Sequence, residues 1–179
     1  MTTSRFTFGG PAGILYHYIH HMVFILPFAA GVALLSGSPI LTIVSAAIAG
    51  ILIDLDHIVD YMVEVPPREW TLRNAVAGDH LPSAKRVFVF LHGYDTAILI
   101  GLLTGFLVNT AVGLGLAVGM LVHIATDQID YGGHPLRYVL LFRFYRSFDN
   151  GLFIHSQSKR NPENRDSKQR NIAKVIKRG

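Results

Sequence analysis

Cysteine is absent from the 179 residues, which excludes disulfides and thiolate metal ligands alike. Any transition-metal site must therefore draw on His, Asp and Glu. Charge is scarce as well: Asp, Glu, Lys and Arg make up 16% of the chain, against about a quarter in soluble domains. Only 12 residues are acidic, so a carboxylate inside an apolar stretch needs a reason to be there. No internal repeat is convincing, and one domain is the natural reading for this length.

What is present is apolar. Half of the residues are hydrophobic and the mean hydropathy is +0.37. Four runs stand out, at roughly 22–35, 40–53, 87–108 and 110–129. A span needs ~20 apolar residues to cross ~30 Å of hydrocarbon. The last two runs reach that length, and the first two reach it when their flanks are included. Ser36-Gly37-Ser38-Pro39 joins the first pair as a helical hairpin. The first run is read as retained: one Arg precedes a long neutral stretch with three His, unlike the layout of a cleaved signal. Gly101/Gly105 and Gly115/Gly119 have the spacing that lets membrane helices approach closely.

Polar segments surround these runs. Residues 60–86 read as an extramembrane loop, with a short helix near 68–77. Residues 136–148 mix aromatics with Arg137, Arg143 and Arg146, as a helix lying in the interface does. Arg143 is read as snorkelling its charge to the headgroups, the alternative being that it faces an anionic substrate. The expected fold is all-α: a multi-pass membrane helical bundle of about four spans, an interfacial helix and a basic C-terminal tail. Residues 1–155 form the membrane-embedded domain, and 156–179 a disordered cytoplasmic tail.

Net charge is +4, and ten of the sixteen Lys and Arg lie in 143–179. A basic segment of this kind suits anionic lipid; it lacks interleaved aromatics beyond Phe153, so nucleic acid is the weaker partner. The 60–86 loop and the 143–179 segment together hold fourteen of the sixteen basic residues, while the hairpin turns hold none. The positive-inside rule then puts both termini on the cytoplasmic side of the cell's inner membrane.

On that topology the polar residues converge. His17, His20 and His21 precede the first span, and Asp54, Asp56 and His57 end the second. His92 and Asp95 open the third; His123, Asp127 and Asp130 close the fourth. An up-down-up-down bundle brings all four sets to one face. His123 and Asp127 are four apart and project from one side of a helix; Asp54/His57 and His92/Asp95 are three apart and do likewise. For any single pair, a hydrogen bond between two packed helices is an equal reading. Three pairs on one face favour a cation, because the carboxylates would otherwise repel one another in a partly dry setting. The expected metal ligands are Asp54, His57, His92, His123, Asp127 and His21. His134 is a weaker candidate for a second site, and His80 and His155 read as loop residues. Zinc suits mixed His and carboxylate ligands, with manganese or iron as alternatives. A carboxylate left free of the metal, Asp56 or Asp95, is the expected general base.

Ile51-Leu52-Ile53-Asp54-Leu55-Asp56-His57 resembles the L-P-D-x-D-H signature of the membrane-bound metal-dependent hydrolase family, of the SOS-regulated inner-membrane type. Phe90-Leu91-His92-Gly93-Tyr94 resembles that family's entry to its third helix, and Gly119 to Asp127 resembles its G-x-x-x-H-x-x-x-D segment. The resemblance covers about 16–144 in order and spacing. It departs at Ile53, where the family has proline, at Gly93, where Ser is common, and in lacking an upstream H-R-G. It implies metal ligation by Asp54, His92, His123 and Asp127, with Asp56 and His57 close by and His21 adding another. It also implies a distant similarity to zinc-dependent phospholipase C and single-strand nucleases. The function so implied is metal-activated hydrolysis of a phosphodiester or ester, of a lipid or a small molecule, at the cytoplasmic membrane face. Two rivals stand beside it. An ion or proton transporter should carry polar residues through the bilayer depth, yet 26–35 and 98–108 hold almost none. A non-catalytic membrane protein that binds metal structurally is the other.

Overall fold

The computed structural model describes residues 11–71, 75, 86–131 and 135–149. Among the described residues six α-helices run in chain order: α1 Pro11–Ala33, α2 Pro39–Leu52, α3 Asp56–Glu64, α4 Tyr94–Leu107, α5 Thr110–Tyr131 and α6 Leu140–Tyr145. Short 3-10 turns occupy Ile53–Leu55, Pro67–Glu69 and Pro135–Tyr138. Among the described residues there is no strand, only an isolated bridge between Arg86 and Asp149.

Helix α1 starts well before the first expected run. His17, His20 and His21 lie inside it, not ahead of it as their polarity suggested. Proline is well placed in a first turn, where its missing N–H has no helical partner, and neither Gly nor Pro interrupts 14–26. The turn into α2 is built as the sequence implies. Gly37 adopts a left-handed φ of +71°, Ser36 Oγ donates to the Ala33 carbonyl and accepts the Ser38 N–H, and Pro39 opens α2.

The second element outruns its expected end at Asp54. Ile53 keeps its N–H where a proline would have none, and bonds the Ala49 carbonyl. The helix therefore tightens through one 3-10 turn and continues as α3. The apolar stretch is thus 26 residues long, Pro39–Glu64, and takes in the first residues of the expected loop. The third element is shorter than expected. Residues 87–92 are extended or turned, and α4 begins at Tyr94 after the cap residue Gly93. The reason is local: the Asp60 carboxylate takes the Phe88 and Val89 N–H groups and Asp56 takes that of Leu91, in place of helical carbonyls.

Among the described residues three helical stretches are therefore long and apolar enough to cross a membrane, Ala12–Ala33, Pro39–Glu64 and Thr110–Tyr131. The 14 residues of α4 reach only ~21 Å at 1.5 Å per residue. The segment expected as an interfacial helix folds as the 3-10 turn Pro135–Tyr138 followed by α6. The short helix expected near 68–77 appears within the described residues only as the turn Pro67–Glu69. The basic tail lies outside the described residues.

Helix α5 is the hub, packing on α1, α2 and α4. Glycine makes this possible. A methyl group at Gly113 would overlap the backbone of Gly101 and Gly105 on α4, and one at Gly119 would overlap the backbone of Ala46 on α2. The core is correspondingly small-residue: Ala46, Ala49 and Ala97 pack with Ile25, Ile53, Met120 and Ile124. Large apolar side chains point outward instead, among them Leu34, Leu102, Phe106 and Leu107. That inversion suits a lipid solvent, where close helix contacts and not hydrophobic burial hold helices together.

Candidate metal centre

Four chain segments meet at one end of the bundle: the first half of α1, the α2–α3 junction, the segment before α4, and the last turns of α5. Each delivers ligand-type side chains. On α1, His17 and His21 are one turn apart and their rings meet at 4.2 Å between centroids. The 3-10 turn presents Asp54, and the first turn of α3 presents His57. His92 comes from the extended segment, and His123 and Asp127 share one face of α5.

The side-chain nitrogens and oxygens of these seven residues converge. His92 Nε2 and His123 Nε2 each lie 3.3 Å from Asp54 Oδ1 and 3.6 Å from Asp127 Oδ2. His57 Nε2 is 3.5 Å from Asp54 Oδ1. His17 Nε2 is 3.3 Å from Asp54 Oδ2, and His21 Nε2 is 3.3 Å from Asp127 Oδ1. Ligands 2.0–2.1 Å from a tetrahedral ion are separated by about 3.3–3.4 Å. His92, His123, Asp54 and Asp127 thus already sit close to four edges of such a tetrahedron.

Their hydrogen bonding makes the same point. His21 Nε2, Asp54 Oδ1, His92 Nε2, His123 Nε2 and Asp127 Oδ1 are all buried, and none has a hydrogen-bond partner. Buried polar atoms are normally satisfied, and five unsatisfied ones gathered in a single His/Asp cluster are what a bound cation would help to satisfy. Three overlapping groups among the seven residues could hold a metal ion: His17, His21 and His123; Asp54, His57 and His92; and His92, His123 and Asp127.

A second layer fixes the rings. His123 Nδ1 donates to the Gly50 carbonyl at 2.9 Å, which leaves Nε2 with its lone pair toward the centre. His92 Nδ1 faces Asp56, 3.1 Å from Oδ1, while Asp56 Oδ2 accepts the Leu91 N–H at 2.8 Å. This carboxylate–histidine arrangement orients a metal-ligating ring and raises its basicity. Burial disfavours a charged His92, but Asp56 and Asp54 outweigh it and hold its pKa well above the ordinary histidine range.

Several expectations change here. Asp56 stands behind His92, on the far side of the ring from the centre. Asp95 does not reach the cluster at all: its two oxygens accept the Leu140 and Leu141 N–H groups at 2.8 and 2.9 Å, capping α6. Arg143 does not snorkel. It is completely buried, and Nη2 donates to the His92 carbonyl at 3.0 Å. Burial works against its charge, and Asp56, Asp95 and Asp60 support it. Asp130 stands apart at the rim, 3.1 Å from His20 Nε2.

Two residues gain roles that sequence reasoning did not give them. His17, rated below His21, sits within the cluster. Asp60, assigned to the loop, is fully buried and ties down the segment that carries His92; its i,i+4 spacing from Asp56 was the available signal. His80, His134 and His155 lie outside the described residues. Comparison with protein-family models, curated proteins and solved structures finds no match.

Proposed function

We propose that this chain is a membrane-bound, divalent-metal-dependent hydrolase whose centre opens at the cytoplasmic membrane face. The observation that carries the reading is the set of five buried, unpartnered ligand atoms converging from four separate chain segments. A divalent ion, zinc first among candidates for this donor set, would supply Lewis-acid polarisation and a water made nucleophilic near neutral pH. His92, His123, Asp54 and Asp127 would hold it. Asp56 keeps His92 Nε2 turned inward through Nδ1, and the Gly50 carbonyl does the same for His123. In this reading Asp56 is a positioning residue, and the general-base role expected of Asp95 is dropped because its oxygens are committed to backbone donors. His17 and His57 are the partly exposed members, 19% and 15% by side chain, and mark the side from which substrate enters.

The resemblance to membrane-bound metal-dependent hydrolases supports the same chemistry and a phosphodiester or ester substrate. Apolar residues exposed beside the mouth, Leu55 and Val59 on one flank and Tyr16 and Ile19 on the other, suit a substrate with a lipid tail. In sequence, the stretches 60–86 and 143–179 hold fourteen of the sixteen basic residues and the turns at 34–38 and 108–109 hold none, which supports the cytoplasmic orientation.

The test is elemental analysis of detergent-purified chain, coupled to hydrolysis of an aryl phosphodiester and an aryl carboxylic ester. Wild type should carry stoichiometric metal and turn over one of the probes. Asp54→Ala and His123→Ala should lose both properties. Wild type purified without metal, and taking none up on dialysis, would end the proposal. Metal without turnover of either probe, or of phospholipid vesicles, would leave a structural metal protein.

A further inference from the structure

Helices α4 and α5 share the turn at 108–109 but not their other ends. The 22 residues of α5 rise ~33 Å and the 14 of α4 only ~21 Å at 1.5 Å per residue. A step of ~12 Å is left on the α4 side of the bundle. Helix α6 lies at its foot, because Asp95 in the first turn of α4 accepts the Leu140 and Leu141 N–H groups. When α5 crosses a bilayer, that level falls at the boundary between acyl chains and headgroups.

The helix has two faces. Its outer side chains Leu141, Phe144 and Tyr145 are 73%, 73% and 81% exposed, and Arg146 beside them is exposed too. Three such side chains on six residues form a patch that needs a cover. Charge indicates which: 143–179 holds ten Lys and Arg against three Asp and Glu, the complement of an anionic surface.

The inner face holds the segment that carries His92. Arg143 is buried and donates to the His92 carbonyl. The chain then reverses through Ser147 and Phe148, both left-handed at φ 51° and 59°, a conformation that non-glycine residues keep only where their surroundings impose it. The reversal brings the Phe148 carbonyl to the Val87 N–H at 3.0 Å. It also sets the Phe148 ring 5.0, 5.8 and 6.2 Å from those of Phe88, Phe90 and Phe144. Phe144 thus belongs to both faces.

We infer that the outer face of α6 docks on anionic lipid headgroups, and that docking steadies the 86–92 segment through Arg143, Phe144 and Phe148. Arg143 is a positioning residue in this scheme. Neither bound metal nor turnover enters the inference, so it is tested separately from the hydrolase reading.

The experiment uses the full chain in nanodiscs of phosphatidylcholine alone, or of phosphatidylcholine and phosphatidylglycerol in equal parts. Tyr145→Cys, the single cysteine of that variant, carries a fluorophore. Nitroxides placed high on the lipid acyl chains should quench it, and aqueous iodide should not. Amide hydrogen exchange across 86–92 in wild type should be several-fold slower in the anionic mixture, with α5 unchanged. The double variant Leu141→Ser, Phe144→Ser should abolish that difference. Equal wild-type exchange in the two lipids would overturn the inference, as would a lipid difference that survives in the double variant. Quenching by iodide in place of the lipid nitroxide would also overturn it, leaving the face to water or to a protein partner. The wild-type comparison requires no substitution, so a variant that fails to fold leaves the outcome readable.

Discussion

Among the individual residues, Asp56 and His92 carry the sharpest consequences. Asp56 touches the centre from behind, through His92 and the more distant His57, so Asp56→Asn should keep the fold and weaken metal affinity by about 10–100-fold, read by competition with a chromophoric chelator. Burial alone would lower the His92 pKa, but the neighbouring aspartates raise it well above the usual value. The raised pKa favours a protonated His92, so a cation binding there would have to displace that proton. Affinity should rise with pH through neutrality, and calorimetry in buffers of different ionisation enthalpy should register proton release. The stability of the metal-free fold has the opposite sign. The contribution of His92 is complete below the unfolded histidine pKa of about 6.5 and is lost as pH climbs through the raised folded value. Thermal melts of chelator-treated protein between pH 6 and 9 would show the decline. Most of the clustered residues were legible at this scale, because Asp and His at helical spacing inside apolar runs have few other uses. Arg143 was not: an arginine in an aromatic-rich segment looks interfacial, and only the tertiary structure reveals the His92 carbonyl as its partner.

The elements were legible where one local rule governs and illegible where side chains override it. The Ser-Gly-Ser-Pro turn and α5 follow from turn chemistry and apolar length, and both appear close to their expected bounds. The segment 87–92 reads as apolar helix, yet Asp56 and Asp60 take three of its N–H groups from a distance of 28 to 35 residues in sequence. No local pattern encodes such a pairing. Helix α1 was read too short for the mirror-image reason: three histidines looked like a boundary when they are an inward face. The glycine spacings proved informative, and Gly119 gives a clear prediction. Gly119→Val sets a branched side chain against the Ala46 backbone and should destabilise the bundle by about 1–3 kcal/mol, measured by unfolding in mixed micelles. Gly31 has open space around it, so Gly31→Ala should be tolerated and serves as the control.

For the whole molecule, polarity is distributed by end. The centre, the tethered 86–92 segment and α6 lie together, and the turns at 34–38 and 108–109 lie at the other end without a basic residue. With no native cysteine, orientation can be read from single introduced ones. Leu35→Cys and Val108→Cys should react with an impermeant maleimide added outside intact cells. Arg68→Cys should react only after the cells are broken. Labelling in the reverse pattern would invert the topology. The convergence of the four segments on one face was foreseeable from an antiparallel bundle. The number of true spans was not, because α4 gives up its first turns to the tethered segment.

Asp54 and Asp127 sit on α2's continuation and on α5, and the histidines they face come from α1, from the chain just before α4, from α3 and from α5 itself. A ribosome delivers these pieces in sequence, with His123 and Asp127 last. Until that final helix packs, the cluster lacks His123 and Asp127 and cannot close. A cation bound by the cluster would therefore be taken up late in biogenesis, after the last helix has joined the bundle.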